Sequence, residues 1–175
     1  VVEKGINALK AVWHRGAVDA DGKTGDGAGI HVQIPVAFFQ DQIRRTGHEP
    51  DNKLIAVGQV FLPRTDFGAQ ERCRTIVESE VLRMGHYIYG WRHLPVDNSV
   101  LGDKANATRP EIEHILIRNE KGVDEEQFDR VLYIIRRRIE KAATMVTGFY
   151  FCFLSCRSII YKGNNLAELS SYKHP

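Results

Sequence analysis

The chain has 175 residues, of which 43% are hydrophobic and 26% are charged, a composition typical of globular domains rather than of disordered or fibrous proteins. Its 24 Lys and Arg nearly balance 22 Asp and Glu, so the net charge of +2 gives no indication of binding to nucleic acid or to an anionic membrane surface. No apolar run approaches the ~20 residues that a membrane-spanning helix needs. We therefore expect one domain, with neither nucleic acid nor a membrane as partner.

Hydrophobic spacing predicts the first elements of the chain in order. Apolar residues at three- and four-residue intervals predict a helix over residues 2–13, which stops near Gly16. A glycine-rich loop follows and leads into an alternating strand from Ile30 to Ile34. Pro35 ends that strand and opens a short helix that runs through Ile43.

The middle of the chain alternates between strand and helix patterns. A strand is predicted from Leu54 to Leu62, a helix from Phe67 to Met84 and a second strand from Tyr87 to Trp91. This order indicates a βαβ-like unit with a right-handed crossover. The segment from Pro95 to Arg109 has no periodicity and is predicted to be a connecting loop, and a further strand covers Ile112 to Ile117.

The last third of the chain is predicted to contain a long helix and a hairpin. Asp124 followed by Gln127 resembles a capping box, and apolar residues continue at helical spacing after it. Two strand patterns, Phe149 to Leu154 and Ser158 to Lys162, stand on either side of Cys156-Arg157. We expect these two strands to pair with each other and to turn at that dipeptide.

The cysteines and histidines do not indicate a metal site. Cys73, Cys152 and Cys156 have neither metal-ligand spacing nor the even number of a disulfide framework. The 7 histidines form no closely spaced ligand pair. We expect the thiols to be small buried groups and the protein to work in a reducing, cytoplasmic setting.

The glycine-rich loop does not have the pattern of a phosphate or calcium site. Gly22-Lys23-Thr24 lacks the glycine that a phosphate-binding loop has five positions earlier, because Ala17 stands there after a predicted helix. Asp19, Asp21 and Asp26 do not follow a calcium-loop pattern. We predict that these aspartates form turns.

The end of the first helix carries the strongest candidate for a functional group. Arg15 lies between His14 and Gly16, just before the glycine-rich loop. Its guanidinium has five donors in a rigid fork, which suits carboxylates and carbonyls. The spacing equally allows Arg15 to act as a helix C-terminal cap. His14 either orients a neighbour or packs at the helix end.

These segments resemble a known family. Residues 11–17 (AVWHRGA) and 24–30 (TGDGAGI) are similar to the start of the class II glutamine amidotransferase domain in glutamate synthases, specifically in the large subunit of the bacterial NADPH-dependent type. The triplet His-Arg-Gly alone would mark only the wider class II group. Further similar blocks extend over almost the whole chain, at residues 58–63, 87–92, 105–110, 132–138 and 158–163.

The resemblance implies an α+β fold of the N-terminal-nucleophile (Ntn) hydrolase type, a four-layer αββα sandwich of which this chain would form the first part. Such enzymes use the thiol of a first-residue Cys, with its own α-amine as base, to attack the side-chain amide of glutamine. An oxyanion hole stabilises the tetrahedral intermediate, and ammonia leaves. In glutamate synthases the ammonia reaches 2-oxoglutarate at a site containing FMN and an iron–sulfur cluster, and NADPH supplies electrons through a small subunit.

The resemblance also implies roles for individual residues. Arg15 matches the arginine that shapes the surroundings of the nucleophile, and Gly16 lets the backbone pass close by. Asp26, Gly27 and Gly29 match the turn into the strand beside the site and would support the substrate pocket. None of these residues would make or break a bond. The chain itself is expected to hold no cofactor or metal, and its partners would be glutamine, the rest of the large subunit and the small subunit.

Three departures from the family pattern limit this interpretation. Val1 aligns after the family's Cys-Gly-x-Gly opening, and Pro175 precedes its Arg-x-Ser-Thr segment, which holds the glutamine carboxylate. The Asn-Gly pair of the oxyanion hole is absent as well. We therefore expect residues 1–175 to form a partial domain that is inactive alone. The alternative is a degenerate amidotransferase-like module that binds or regulates without catalysis.

Overall fold

The computed structural model describes residues 2–12 and 16–165. In chain order its helices are α1 (Val2–Ala11), α2 (Val36–Arg45), α3 (Phe67–Arg83), α4 (Asp103–Thr108) and α5 (Glu125–Ala142), with a short 3-10 turn at Asn98–Val100. Its strands are β1 (Thr24–Gln33), β2 (Ile55–Leu62), β3 (Tyr87–His93), β4 (Glu111–Arg118), β5 (Tyr150–Ser155) and β6 (Ser158–Asn165). The chain is a mixed α/β protein, and none of the described helices is both long and apolar enough to cross a membrane.

The chain divides into two compact units. The first takes its described residues from Val1–Val32, Pro95–Arg109 and Ile160–Pro175. The second consists of Gln33–Leu94 and Pro110–Ile159. Gly16, Asp26, Gly27 and Gly29 belong to the first unit, whereas the main hydrophobic core belongs to the second.

The second unit contains a four-stranded antiparallel sheet in the order β3-β4-β2-β5. Because β2 and β3 both run antiparallel to β4, they run parallel to each other, but β4 lies between them. The predicted order of strand, helix and parallel strand is confirmed, and β4 is inserted between the two parallel strands. Residues Glu113 to Ile117 of β4 are all buried, in keeping with its central position in the sheet.

Helices α3 and α5 cover one face of this sheet. Four apolar residues of α5, at the spacing that predicted the helix, have no exposed surface: Phe128, Leu132, Ile135 and Ile139. They pack with Val77 and Val81 of α3 in one continuous core. The predicted cap is confirmed, because the Asp124 carboxylate accepts a hydrogen bond of 2.8 Å from the Gln127 backbone N–H.

The opposite face of the sheet carries a buried polar pair. Ile115 and Ile117 of β4 contribute to the core under the helices, so the side chain of His114 points to the other face. There its Nε2 lies 3.2 Å from the Gln59 Oε1 of β2. The ring of Phe39 from α2 lies 5.8 Å from the imidazole, centroid to centroid.

The predicted C-terminal hairpin is wrong, because β5 and β6 pair with different strands. β5 joins the edge of the four-stranded sheet beside β2, whereas β6 pairs with β1. Between the two strands, the Asp129 carboxylate accepts hydrogen bonds from Ser155 Oγ at 2.8 Å and from the Cys156 N–H at 3.3 Å. The Arg157 carbonyl then accepts a bond of 3.0 Å from the Ile34 N–H, next to the end of β1.

The segment predicted as a loop from Pro95 to Arg109 contains two short helical pieces. These are the 3-10 turn at Asn98–Val100 and the six-residue helix α4. Ala105 is the buried residue of α4. A helix this short with one buried position has no hydrophobic periodicity, which explains why the sequence pattern did not reveal it.

Candidate functional site

The structure describes some of the predicted site residues and not others. Arg15 and His14 lie outside the described residues. Gly16, the next residue of the motif, is exposed. Asp26, Gly27 and Gly29 all lie within β1.

The glycine-rich segment is part of a strand, which corrects the prediction of a loop and of a turn at Asp26, Gly27 and Gly29. β1 begins at Thr24 and continues through the whole run to Gln33. Gly25 forms an isolated antiparallel bridge with Val18, and β6 pairs with the strand. Glycines carry no side chains that could show strand alternation, so the pairing was hidden in the sequence. Gly27 has a φ of +99°, which favours glycine at this position.

A tight turn precedes β1. The Asp19 N–H donates to the Thr24 carbonyl at 2.8 Å, and the Gly22 N–H donates to the Asp19 carbonyl at 3.0 Å. The Asp21 carboxylate accepts from the backbone N–H groups of Lys23 (2.9 Å) and Thr24 (2.7 Å) and from the Thr24 hydroxyl (2.5 Å). The prediction that Asp19 and Asp21 form a turn is confirmed.

These contacts favour the ionised form of both aspartates. The Thr24 hydroxyl, followed by the two backbone N–H groups, lowers the pKa of Asp21 to about 2. A hydrogen bond from the Lys104 ammonium, 2.8 Å from Asp19 Oδ2, is the main cause that lowers the pKa of Asp19. Both carboxylates are therefore occupied by contacts within the turn or with Lys104.

The three cysteines do not have the properties of an activated nucleophile. Cys73 and Cys152 are buried, and burial raises the pKa of the Cys73 thiol. Burial, followed by the nearby carboxylate of Asp129, raises the pKa of Cys156 to about 12. A catalytic thiol needs the opposite shift, towards the thiolate form at neutral pH.

The described residues do not fit the metal cofactors of the family. They contain no group of three or more His, Cys, Asp and Glu side chains that could hold a metal ion. An iron–sulfur cluster needs several cysteine thiolates at one site. The implied cluster therefore finds no ligand set in the described part of the chain.

A groove on the described surface does not have the character of an active site. It is an open groove of about 600 Å³ on the outer face of α5, beside Tyr133 and Ile134. Arg137 at its rim pairs with Glu140, and Arg138 pairs with Glu80. Its charges are thus largely neutralised, and it lies in the second unit, away from the glycine strand in sequence.

Two features of the structure had been missed in the sequence. His114 interrupts the apolar run of β4, which is the signal that could have identified a buried polar group. Gly102, in the segment taken for a loop, lies against the turn that precedes β1. No local pattern distinguishes this glycine from others in loops.

Comparison with known proteins supports the resemblance found in the sequence. Residues 1–172 match the model of the class II glutamine amidotransferases. The chain is 65% identical to the NADPH glutamate synthase large chain of Azospirillum brasilense, over 100% of this chain and 12% of that protein. It is 40% identical to ferredoxin-dependent glutamate synthase 2 of Synechocystis (93% of this chain, 10% of that protein). It is 34% identical to the NADPH glutamate synthase large chain of Bacillus subtilis (93% and 11%).

The chain thus spans only about a tenth of the length of the curated relatives that it matches. The family match, in contrast, extends over nearly every residue of the chain. The expected family is confirmed: the chain belongs to the class II glutamine amidotransferases.

Proposed function

We propose that this chain forms part of the glutaminase site of a glutamate synthase, which hydrolyses glutamine to glutamate and ammonia and uses the ammonia for reductive amination of 2-oxoglutarate. The observation that carries the proposal is the 65% identity to a glutamate synthase large chain over 100% of this chain. The family match over residues 1–172 supports the glutamine-hydrolysing step in particular.

The chain's own residues would shape the pocket and would not make bonds in this proposal. Arg15, with Gly16 beside it, would stand near the nucleophile and present a fixed cation to polar substrate groups. Asp26, Gly27 and Gly29 would form the wall beside the substrate. The exposed backbone of Gly27 and Gly29 supports this role, because without side chains a ligand can approach the strand closely.

The attacking thiol would come from an N-terminal Cys of the complete enzyme, with its α-amine as base. The unsuitable environments of Cys73, Cys152 and Cys156 support this assignment. We accordingly propose that residues 1–175 are a partial amidotransferase domain and that the isolated chain does not hydrolyse glutamine.

For the fold we propose the first part of a four-layer αββα sandwich of the Ntn-hydrolase type. In the second unit, helices α3 and α5 form one layer on one face of the antiparallel sheet. This packing supports one helix layer and one sheet layer of the proposed sandwich. The apolar residues on the opposite face of that sheet, such as Val57 and Leu116, support its role as an inner layer.

Cofactors and partners would belong to the rest of the enzyme. FMN, an iron–sulfur cluster and NADPH bound through a small subunit would serve the amination step, outside this chain. Glutamine would be the substrate, and the remainder of the large subunit the direct partner. The three cysteines, none of which is in a disulfide, support a reducing, cytoplasmic setting.

The test is a glutaminase assay on the full-length protein that carries this chain, with Arg15→Ala and Arg15→Lys beside the wild type. We expect Arg15→Ala to lower kcat/KM for glutamine about 100-fold, the scale of losing one preorganised polar contact at a reaction centre. Arg15→Lys should recover only part of this loss, since Lys lacks the planar fork.

Arg130→Ala, an exposed arginine of α5, is the matched control and should keep wild-type kinetics. A full-length protein that binds glutamine but releases no glutamate would instead indicate a binding or regulatory module. Wild-type kinetics in Arg15→Ala would remove Arg15 from the site.

A further inference from the structure

We propose that Gly102 is a positioning residue for glutamine hydrolysis, because it lets the start of α4 lie directly against the turn that aligns the glycine strand β1. This inference rests on the proposed function. Gly102, the turn and the first nine residues of β1 all belong to the first compact unit.

The first observation is steric. A Cβ atom on Gly102 would overlap the Asp21 carboxylate and the Thr24 hydroxyl. The backbone of Gly102, with φ −71° and ψ 162°, is one that any residue adopts. The glycine is therefore required by the close approach and not by the backbone conformation.

The second observation is that the obstructing groups are not free to move. The Asp21 Oδ2 and the Thr24 Oγ1 are hydrogen-bonded to each other at 2.5 Å, and Asp21 Oδ1 accepts from two backbone N–H groups. A side chain at position 102 would have to break these bonds or push the whole turn away.

A surface ion pair joins the same two segments. Lys104 of α4 binds Asp19 at 2.8 Å, but 71% of the lysine side chain is exposed. Solvent screens such an exposed pair, so it contributes little to holding α4 against the turn. The close approach at Gly102 is a second and tighter contact between the two segments.

The turn leads directly into β1, the strand proposed as the pocket wall. Thr24 is the first residue of β1, and Gly25 next to it bridges Val18, two residues after Gly16. A displacement of the Asp21–Thr24 pair would therefore shift both Gly16 and the beginning of the glycine strand. The proposed pocket wall at Gly27 and Gly29 lies three and five residues further along the same strand.

The experiment compares Gly102→Ala with Gly5→Ala in the full-length protein. Gly5 belongs to the same unit, and a Cβ there would lie 3.4 Å from Ile30 Cδ1, which the flexible Ile side chain can accommodate. We expect Gly102→Ala to raise KM for glutamine by about 10-fold or more because the proposed pocket wall moves. The change in kcat should be smaller, since the reacting thiol is proposed to belong to another segment of the protein. Gly5→Ala should keep wild-type values.

Two further measurements separate positioning from general damage. Hydrogen exchange of the backbone amides of residues 19–29 should accelerate in Gly102→Ala and not in Gly5→Ala. Thr24→Ala removes one of the two obstructing groups, so the double variant with Gly102→Ala should lose less than the sum of the two single effects.

Wild-type kinetics in Gly102→Ala would overturn the positioning role and leave the proposed function intact. Unchanged amide exchange in residues 19–29, or additive effects with Thr24→Ala, would overturn it as well. A wild-type protein without glutaminase activity would overturn both the proposed function and this inference.

Discussion

Two buried histidines couple the stability of the protein to pH. His114 has no exposed surface, and its ring lies 5.8 Å from that of Phe39 and 6.3 Å from that of Phe153, centroid to centroid. Burial, with a smaller effect of the Arg92 charge, lowers the pKa of His114 to about 3. Burial also lowers the pKa of His86, with a smaller effect of Lys121. Both imidazoles are therefore neutral in the folded protein at physiological pH.

We predict that the free energy of unfolding falls as the pH drops below about 6.5, the ordinary pKa of histidine in an unfolded chain. The unfolded state binds a proton there, whereas folded His114 does not until its pKa of about 3. The contribution of this residue to the free energy of unfolding is therefore highest above about pH 6.5. It falls towards about pH 3 by at most about 1.4 kcal/mol per pH unit. Urea unfolding of the chain at about pH 7, 6 and 5 measures the slope.

His114→Gln should reduce that slope while keeping a partner for Gln59. The same exchange at His31, whose side chain is exposed, is the matched control. Equal slopes in wild type and His114→Gln over this range would show that His114 does not remain neutral in the fold.

The Cys156 thiol should be almost inert, although it is the least buried of the three. Its Sγ faces Asp129 Oδ1 at 3.7 Å, and its pKa of about 12 leaves little thiolate near pH 8. Asp129→Asn removes the facing charge and should accelerate alkylation of Cys156 about 10-fold, as followed by intact-mass spectrometry. Asp41→Asn, an exposed change on α2, should not accelerate it, and rapid alkylation of the wild type would contradict the account.

At the scale of elements, β2 depends on one glycine for its packing. A Cβ on Gly58 would lie 2.9 Å from Ile115 Cγ2 and 3.0 Å from both Leu154 Cδ1 and Phe151 Cζ. We predict that Gly58→Ala lowers the free energy of unfolding by about 1–3 kcal/mol through overpacking. Gly68→Ala, in the first turn of α3 with its nearest contacts at 3.4 Å, is the control and should be neutral or stabilising in urea unfolding.

An unchanged urea midpoint in Gly58→Ala would mean that the β2 core is looser than the structure indicates. A loss of stability in Gly68→Ala equal to that in Gly58→Ala would show that the effect is not specific to the sheet.

Elements with a packed apolar face were predictable, and their pairing partners were not. The spacing of Phe128, Leu132, Ile135 and Ile139 identified α5, because each of these residues meets the same core. The apolar residues of β2 and β4 predicted two strands, but not which strand lies beside each of them. The central place of β4 and the separation of β5 from β6 depend on contacts between residues far apart in sequence.

The candidate site was predictable only where a local rule applied. The turn at Asp21 was predictable because aspartate side chains commonly accept hydrogen bonds from backbone N–H groups two and three residues ahead. The role of Gly102 depends on a segment about 80 residues away along the chain. Arg15 was selected by a family motif, and its position lies outside the described residues.

At the scale of the whole molecule, our central proposal is that this chain shapes a glutaminase site whose reacting thiol it does not itself provide. The proposal follows from a family match over residues 1–172 together with three thiols in unsuitable surroundings. If the reacting thiol comes from another segment, glutamine hydrolysis requires the full-length protein that carries this chain.

The most direct measurement is the release of glutamate from glutamine by the isolated 175-residue chain and by the full-length protein, under the same conditions. We predict hydrolysis by the full-length protein and none by the isolated chain. Hydrolysis by the isolated chain that is lost in Arg15→Ala, or a full-length protein without hydrolysis, would contradict the account.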